Sequence, residues 1–419
     1  MAPPLVPGRY RAGENVLGLP FSHGCRGSTG RAAMKEFDVA IIGAGPAGSA
    51  TAITLAQSGF DVVLIDRAFF PRDKLCGDFV NPINWPVLQE LNVAHELLSL
   101  PHTKVSTFRL TTAGGAEAVR AMPGQGVYHF GLGLRRFHLD HVLFERAARS
   151  GVSVYQGVKV SGVKRVSRGW HLDLNEHGRP WVAQAKLLVG ADGRNSWVAR
   201  QIGVASKPAK YPASVGFEIQ LQKVPGSCGS VEIHQYVGGY GGVVRVDPST
   251  VNLCFTVKRS LLGKSISFDN LRERFLRHNP FLNVLVRASE PVSDLRSVWP
   301  VYFPARRCFG DGFLLVGDAA RVTEPLTGEG IFFALRAGQL AARTMASALR
   351  QNNFTEVQLG SYDRACRREF SARQRLNALI RNCIYRPRLL SLAVPLLSRQ
   401  TQLLDSLISQ VCLPRLACD

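Results

Sequence analysis

The sequence predicts an α/β fold: a Rossmann-like parallel sheet, an inserted antiparallel sheet and a C-terminal helical segment. Three observations carry this. A glycine-rich turn joins an apolar strand to a helix near residue 43, a second apolar strand ends in an acid at Asp318, and the chain between them alternates apolar and polar residues. Residues 37–42 are a short apolar run of the kind that a strand buried on both faces requires, and the run stops at Gly43. Gly43-Ala44-Gly45-Pro46-Ala47-Gly48 then supplies GxGxxG. In that spacing the first glycine allows the tight turn, the second lets backbone approach a pyrophosphate, and the third lets helix pack close to strand. Residues 49–58 read as the helix, ended by Gly59, with its N-terminal N–H groups aimed at the phosphates. A second strand over 61–65 ends at Asp66, followed by Arg67. Asp66 stands about 20 residues after the turn, where an acid accepts hydrogen bonds from ribose hydroxyls.

Bulk composition narrows the class. With 419 residues, 46% of them hydrophobic, the chain is globular and long enough for two to three structural units. Its formal charge of +20 suggests an acidic partner. Twelve Arg, no Lys and three acids (Glu356, Asp363, Glu369) fall between residues 336 and 399, so part of the excess lies near the C-terminus. A solvated helix face and peripheral contact with an anionic membrane are the two readings of that segment, and nucleic acid is not expected. Nine cysteines without CxxC or Cys/His spacing read as reduced thiols in a cytoplasmic protein. No metal site, no P-loop and no Ser/His/Asp arrangement is recognisable, and no uncharged apolar run reaches the roughly 18 residues of a spanning helix. Residues 1–33, rich in Gly, Pro and Arg, are expected to be a disordered extension, with Met34 as a natural start.

The downstream segments select among dinucleotides. Residues 313–318 form another buried strand ending in Gly317-Asp318, and Pro325-Leu326-Thr327-Gly328-Glu329-Gly330 leads into a helix over 331–340. A glycine-rich turn at a helix N-terminus approaches a flat ring closely and stabilises negative charge on it, as a reduced flavin requires. Together these motifs resemble the flavoprotein group of geranylgeranyl reductases, p-hydroxybenzoate hydroxylase-type enzymes and flavin-dependent halogenases, over roughly residues 37–340. The resemblance implies FAD as cofactor, a glutathione-reductase-type topology, and NADPH or NADH as electron donor. It implies that Asp318 accepts from the ribityl chain and that Pro325, Gly328, Glu329 and Gly330 belong to the isoalloxazine site. Asp192, in Gly190-Ala191-Asp192-Gly193-Arg194, is implied at the pyrophosphate, Arg136 at the flavin, and Val160 at the adenine. Lys74-Leu75-Cys76-Gly77-Asp78 is similar to the reductase branch, where a Cys-Gly pair lies near the flavin. Gly238-Gly239-Tyr240-Gly241-Gly242 resembles that branch's GYGW-type segment, with Gly242 where Trp is usual. The halogenase WxWxIP signature is not present.

The implied organisation places FAD-binding segments at 34–100, 135–205 and 306–350, substrate segments at 101–134 and 206–305, and C-terminal helices at 351–419. Strands are expected over 213–224, 231–237, 242–246 and 251–257. Tyr236, Tyr240 and Trp299, with Phe255, Tyr302 and Phe303, are taken to line a cavity for a bulky apolar substrate, an isoprenoid, quinone or polyketide-like molecule. Core packing is the competing reading for each aromatic. The apolar residues between 389 and 411 either cap that cavity or lie on a bilayer. Double-bond reduction is the first functional reading. Cys76 stands at the flavin face and Asp78 is a proton donor if burial raises its pKa; a packing thiol and a helix cap are the alternatives. Oxygenation with NAD(P)H and O2 is the second reading, and halogenation or a flavin carrier without turnover follow.

Overall fold

The computed structural model describes residues 34–124, 126–204, 214–226 and 228–414; the expectation for residues 1–33 lies outside them. Every apolar run assigned to the first unit forms a strand of one parallel core. Lys35–Ile42 lies between Val62–Asp66 on one side and Arg179–Gly190 on the other, all parallel, and the sheet continues outward to Ser153–Gln156 and to Phe313–Leu315. Val39, Ala40 and Ile41 are fully buried, as a strand interior to a parallel sheet requires, while Lys35 and Glu36 at its start remain exposed. Gly169–Glu176 and Val158–Val166 extend this sheet as an antiparallel ribbon from Arg179–Gly190.

Lys35–Ile42 has its sequence neighbour on one flank and a later strand on the other, so connections depart in opposite directions and a crevice opens at the carboxyl ends of the strands. Close packing fixes the helices around that crevice. A Cβ at Gly48 would stand 1.9 Å from the Gly43 carbonyl oxygen, and one at Gly338 would stand 2.5 Å from the Ala47 carbonyl oxygen. The helices Pro46–Gln57 and Gly330–Arg350 therefore touch backbone to backbone. The second of these runs ten residues past its expected end at 340, since its buried Ala-rich face continues to Ala348.

The second sheet runs Glu290–Pro291, Ser214–Gln222, Val251–Lys258, Gly239–Arg245, Ser230–Tyr236, Thr107–Thr111, Glu117–Ala121. It is not wholly antiparallel as expected: Ser230–Tyr236 pairs in parallel with Thr107–Thr111, a strand from a much earlier segment and not a hairpin neighbour. Its inner strands are buried on both faces. Helices Phe268–Arg274 and Pro280–Arg287 cover one face with Phe217, Leu253 and Phe255, and the other face, with Val231, Ile233, Tyr240 and Val244, meets the C-terminal helices. Those helices are Ser361–Ile384, Pro387–Arg399 and Thr401–Cys412. Among the described residues no helix is long and apolar enough to cross a membrane.

Candidate active site

The crevice and the inner face of the second sheet open into one cavity of about 1380 Å³. Gly43, Gly45, Pro46, Ala47, Asp66, Arg67, Arg136, Val160, Asp192, Gly317, Asp318, Pro325, Gly328 and Gly330 all line it, although they come from segments far apart in the chain. Gly43 has φ +105° and no room for a Cβ, which would meet the Ala191 carbonyl oxygen at 2.4 Å. A Cβ at Gly45 would meet only an Arg72 nitrogen at 3.7 Å, and one at Gly330 would meet nothing within 4 Å. These two glycines leave the backbone open to close approach from the cavity side. Ala44 and Gly48 lie behind the wall: the Ala44 N–H donates to Asp66 Oδ2 at 2.8 Å, which fixes the acid at the crevice, and Gly48 packs against Gly43.

Charge along the crevice is arranged in a chain. Arg72 reaches Asp66 at 3.8 Å and Asp140 at 3.3 Å, and Arg136 holds Asp140 with two bonds of 2.6 and 2.8 Å. Asp140 is fully buried, so the two guanidiniums are positioned by a carboxylate that has no other escape from the low-dielectric interior. Opposite them, Asp192 Oδ2 accepts from the Trp197 and Val198 N–H groups, while its Oδ1 is buried without a protein partner. Arg194 pairs with Asp318 at 3.7 Å. Burial pushes Lys74, also on this wall, below the usual ammonium range. The open glycine edges and the cations suit a dinucleotide whose pyrophosphate carries negative charge, and the orphaned Asp192 oxygen suits a hydroxyl donor on such a ligand. The residues present fit FAD.

At the ring end, Cys76 lines the cavity, and its backbone is held by the second sheet: Asn252 Nδ2 and Cys254 Sγ both donate to the Cys76 carbonyl, at 2.7 and 2.9 Å. Burial pushes the Cys76 thiol up to about 11, partly opposed by Arg136. It is a neutral thiol at pH 7. Asp78 stands behind the wall, in a left-handed conformation at φ +52°, and its Oδ1 accepts from the Arg136 N–H at 3.0 Å. It thus caps the helix Arg136–Arg149 and is also buried, which with the nearby Glu218 carboxyl raises it to about 8. Glu218, on the second sheet, is raised to about 7 by burial.

Five of the expected site residues face elsewhere. Tyr236 is 1% exposed but belongs to the core on the far side of the second sheet, its hydroxyl donating to the Thr256 carbonyl at 2.8 Å. Val231 and Ile233 of the same strand face the cavity, so a residue at an even position faces away. Trp299 is 47% exposed and stacks under Arg259, because the chain leaves the sheet after Val298. Glu329 turns from the ring site into protein, pairing with Arg373 at 3.0 Å. Phe303 and Tyr302 also lie off the wall, under Arg306 and Arg381 respectively. Tyr240 and Phe255 do line the cavity.

Several residues escaped the sequence reading. Arg72 carried no motif, and Asp140 is legible only afterwards as the partner four residues from Arg136 on one helix face. Glu324, directly before the ring-facing turn, accepts from the Tyr240 hydroxyl at 2.7 Å. Arg373, 4% exposed, bonds Glu329 and the carbonyls of Gln410 and Leu413, tying the last helix to that turn. Away from the crevice an apolar wall is formed by Phe79, Phe108, Leu110, Met122, Ile380, Ile384, Leu390, Leu397, Leu404 and Ile408. The C-terminal helices therefore cap the cavity.

The FAD binding domain family matches residues 36–373. The chain is 31% identical over 327 residues to menaquinone reductase of Mycolicibacterium smegmatis, covering 74% of this chain and 76% of the relative. It is 28% identical over 343 residues to digeranylgeranylglycerophospholipid reductase 1 of Methanothermobacter thermautotrophicus, with coverage of 80% and 83%. It is 26% identical to conditioned medium factor receptor 1 of Dictyostelium discoideum, covering 78% of this chain but spanning only 66% of that relative's length. Among solved structures, a geranylgeranyl bacteriochlorophyll reductase-like protein of Thermoplasma acidophilum superposes with a TM-score of 0.79 at 20% identity, covering 90% and 96% of the two chains. The flavin-dependent brominase Bmp2 superposes with 0.76 at 19% identity, covering 90% and 94%. These two likenesses show the shared fold.

Two outcomes follow from this geometry. Gly45→Leu fills an open edge of the crevice without a backbone clash, so FAD affinity is expected to fall about 100-fold or more, near 2.7 kcal/mol, while far-ultraviolet circular dichroism is retained; flavin titration followed by fluorescence checks it. Asp78 is raised from 3.8 to about 8, so its contribution to stability is present at low pH and is lost as pH rises between those values. Asp78→Asn keeps the cap and is expected to flatten the decline in melting temperature between about pH 4 and pH 8, leaving the smaller slope from Glu218; an unchanged slope in calorimetry refutes the assignment.

Proposed function

The chain belongs to the FAD binding domain family, and from that premise we propose that this FAD-dependent oxidoreductase reduces a carbon–carbon double bond in a bulky apolar substrate of isoprenoid or quinone type, with NADPH or NADH as electron donor. One observation carries the reading: the cofactor crevice continues without a break into an apolar chamber. At about 1380 Å³ the cavity exceeds the roughly 300–1,000 Å³ of an ordinary ligand site, which suits a cofactor and a large substrate held together. Gly242 contributes to that size. A Cβ there would make only ordinary 3.7 Å contacts, so a larger side chain would project into the chamber, and its absence leaves length for a chain-like ligand. The names of the menaquinone and digeranylgeranylglycerophospholipid reductases support the same substrate class.

Bound FAD supplies the two-electron chemistry. The chain's own residues bind and orient it. Asp66 is aimed at the ribose by the Ala44 N–H, and the Arg72–Asp140–Arg136 chain lays positive charge along the crevice. The free N–H groups before Gly330–Arg350 face the ring end, where a helix N-terminus favours the negative charge of the reduced cofactor. Cys76 forms the neutral wall against which the reacting part of the substrate rests, and the C-terminal helices exclude water from it. Oxygenation would use the same cofactor residues, and oxygen separates the two readings. After anaerobic reduction with NADPH, the protein is expected to convert menaquinone or a geranylgeranyl lipid to a product two hydrogens heavier in mass spectrometry. Turnover only when O2 is admitted, with an oxygen atom in the product, would replace this reading by oxygenation.

The cap also supports peripheral contact with an anionic membrane. Its inner face lines the chamber, yet Leu389, Leu392, Leu396 and Leu403 stay exposed, bordered by exposed Arg386, Arg388 and Arg399, and no acid occurs from residue 370 to 404. Burying each leucine in a bilayer is worth about 1.5–3 kcal/mol, so Leu392→Glu with Leu396→Glu is expected to reduce co-sedimentation with phosphatidylserine vesicles at least about tenfold. Wild-type protein that stays in the supernatant at low salt refutes the contact.

A further inference from the structure

Double-bond reduction needs a proton as well as a hydride, and the chamber that excludes water also excludes the usual proton source. This inference rests on the reading above and concerns where that proton comes from. Tyr240 is the chamber-wall residue whose hydroxyl is joined to a buried acid: its Oη lies 2.7 Å from Glu324 Oε1, and the two residues are 4% and 5% exposed. Glu324 immediately precedes Pro325, the first residue of the ring-facing turn, so the pair sits where the chamber meets the flavin end. The arrangement is held from three sides. The Asn377 side-chain amide donates to the Glu324 carbonyl at 3.3 Å and to Thr327 Oγ1 at 2.8 Å. The Tyr236 hydroxyl donates to the Tyr240 carbonyl at 3.2 Å, and the Tyr385 ring meets the Tyr240 ring edge-on at 6.0 Å.

We propose that Tyr240 is the general acid of the substrate half-reaction and that Glu324 is the positioning residue that restores its proton. Bound reduced FAD would supply the hydride, with its electron pair, that one alkene carbon needs. With Glu324 protonated, its carboxyl O–H donates to Tyr240 Oη across the same 2.7 Å contact, reversing the bond seen with the phenol as donor and turning the phenolic hydrogen toward the chamber. That hydrogen passes to the neighbouring carbon, completing the C–H bond, and the Tyr240 oxygen takes the proton of the Glu324 carboxyl in the same movement. Glu324 is left as carboxylate and regains its proton from bulk water when the chamber opens for product release. The relay requires Glu324 to begin protonated, which its burial favours by pushing its pKa up, against the opposing effects of the Tyr240 hydrogen bond and of Arg381. Tyr385, whose hydroxyl lies 3.2 Å from Thr256 Oγ1, is the other titratable group facing the pair, and burial raises it to about 12, so it stays neutral throughout. Burial likewise holds Tyr236 and Tyr240 in the phenol form. Activity therefore falls as pH rises through the raised pKa of Glu324, since the carboxylate has no proton to pass on.

The test separates this relay from the overall reading. Dithionite-reduced holoenzyme is mixed anaerobically with menaquinone or a geranylgeranyl lipid, and flavin reoxidation is followed over a pH series in H2O and D2O. General acid catalysis is worth about 10²–10⁴ in rate, so Tyr240→Phe is expected to slow reoxidation by substrate at least about 100-fold and to lose the solvent isotope effect, with flavin content and dithionite reduction retained. Glu324→Gln is expected to slow the step and abolish its alkaline limb, whereas Cys76→Ala retains the limb. Infrared difference spectra over the same pH range, taken without substrate, are expected to show a protonated-carboxyl band that Glu324→Gln removes. Wild-type rates in Tyr240→Phe, or a missing Glu324 band, overturn the relay. A wild-type enzyme that reduces neither substrate while the band is present overturns the double-bond reading and leaves the protonated pair standing.

Discussion

The rest of the structure depends on one close approach: backbone meets backbone where the first strand of the parallel sheet ends. Gly43 continues the ladder by donating to the Ile65 carbonyl at 2.7 Å, and Ala191 donates to the Ile42 carbonyl at 2.8 Å, so strands on both flanks are still pinned at the point where their connections diverge. There is no room beside Gly43 for a side chain, and none between Gly48 and the turn. This lets the helix Pro46–Gln57 begin directly over the crevice, with Gly338 allowing a second helix to lie against it. A ligand at this place meets helix N-termini and strand ends together, as open α/β sheets arrange at their switch points. The position of the cofactor crevice is thus a consequence of topology before any side chain is considered.

Buried charge then fixes what topology leaves free. Asp140 is fully buried between Arg72 and Arg136, and Glu329 is buried against Arg373. Such pairs add little net stability compared with apolar packing, but removing one partner strands a charge and costs about 3–5 kcal/mol. Their value is positional. Asp140 points two long, flexible guanidiniums along the crevice, so less entropy remains to be lost when an anionic ligand binds. The Asp78 carboxyl has a related effect from behind the wall, because its bond to the Arg136 N–H links the Cys76 loop to the start of the helix that carries Arg136.

The cofactor half was legible because each requirement is local. A turn that admits no Cβ must be glycine, a buried strand end must be apolar, and the acid at the end of the next strand follows at a fixed distance, so Gly43, Gly45 and Asp66 are read from spacing, while Asp318 is implied by the resemblance; all four line the cavity. The substrate half depends on which face of a strand a residue occupies and on chain segments far apart. Tyr236 was placed on the wall because it is aromatic, although strand parity sets it opposite Val231 and Ile233. Trp299 was misplaced because nothing local shows where the strand Arg296–Val298 leaves the sheet. Arg72, Glu324 and Arg373 are single polar residues whose meaning lies in partners 68, 84 and 44 positions away, and no periodicity records such pairs.

The cap and the cofactor site form one unit through Arg373. Its guanidinium bonds Glu329 in the ring-facing turn and, in the same plane of donors, the carbonyls of Gln410 and Leu413 at the end of the last helix. Lifting that helix would expose the carbonyls to water at small cost, but would leave Arg373 with one partner where it now has several, in a site that is 4% exposed. The turn over residues 325–330 is therefore held in part by the docking of the last helix. Leu390, Leu404 and Ile408 gain their apolar cover in the same closed arrangement. Cover of the cavity and order of the turn over residues 325–330 thus draw on one set of contacts, which joins the C-terminal helices and the cofactor crevice into one unit.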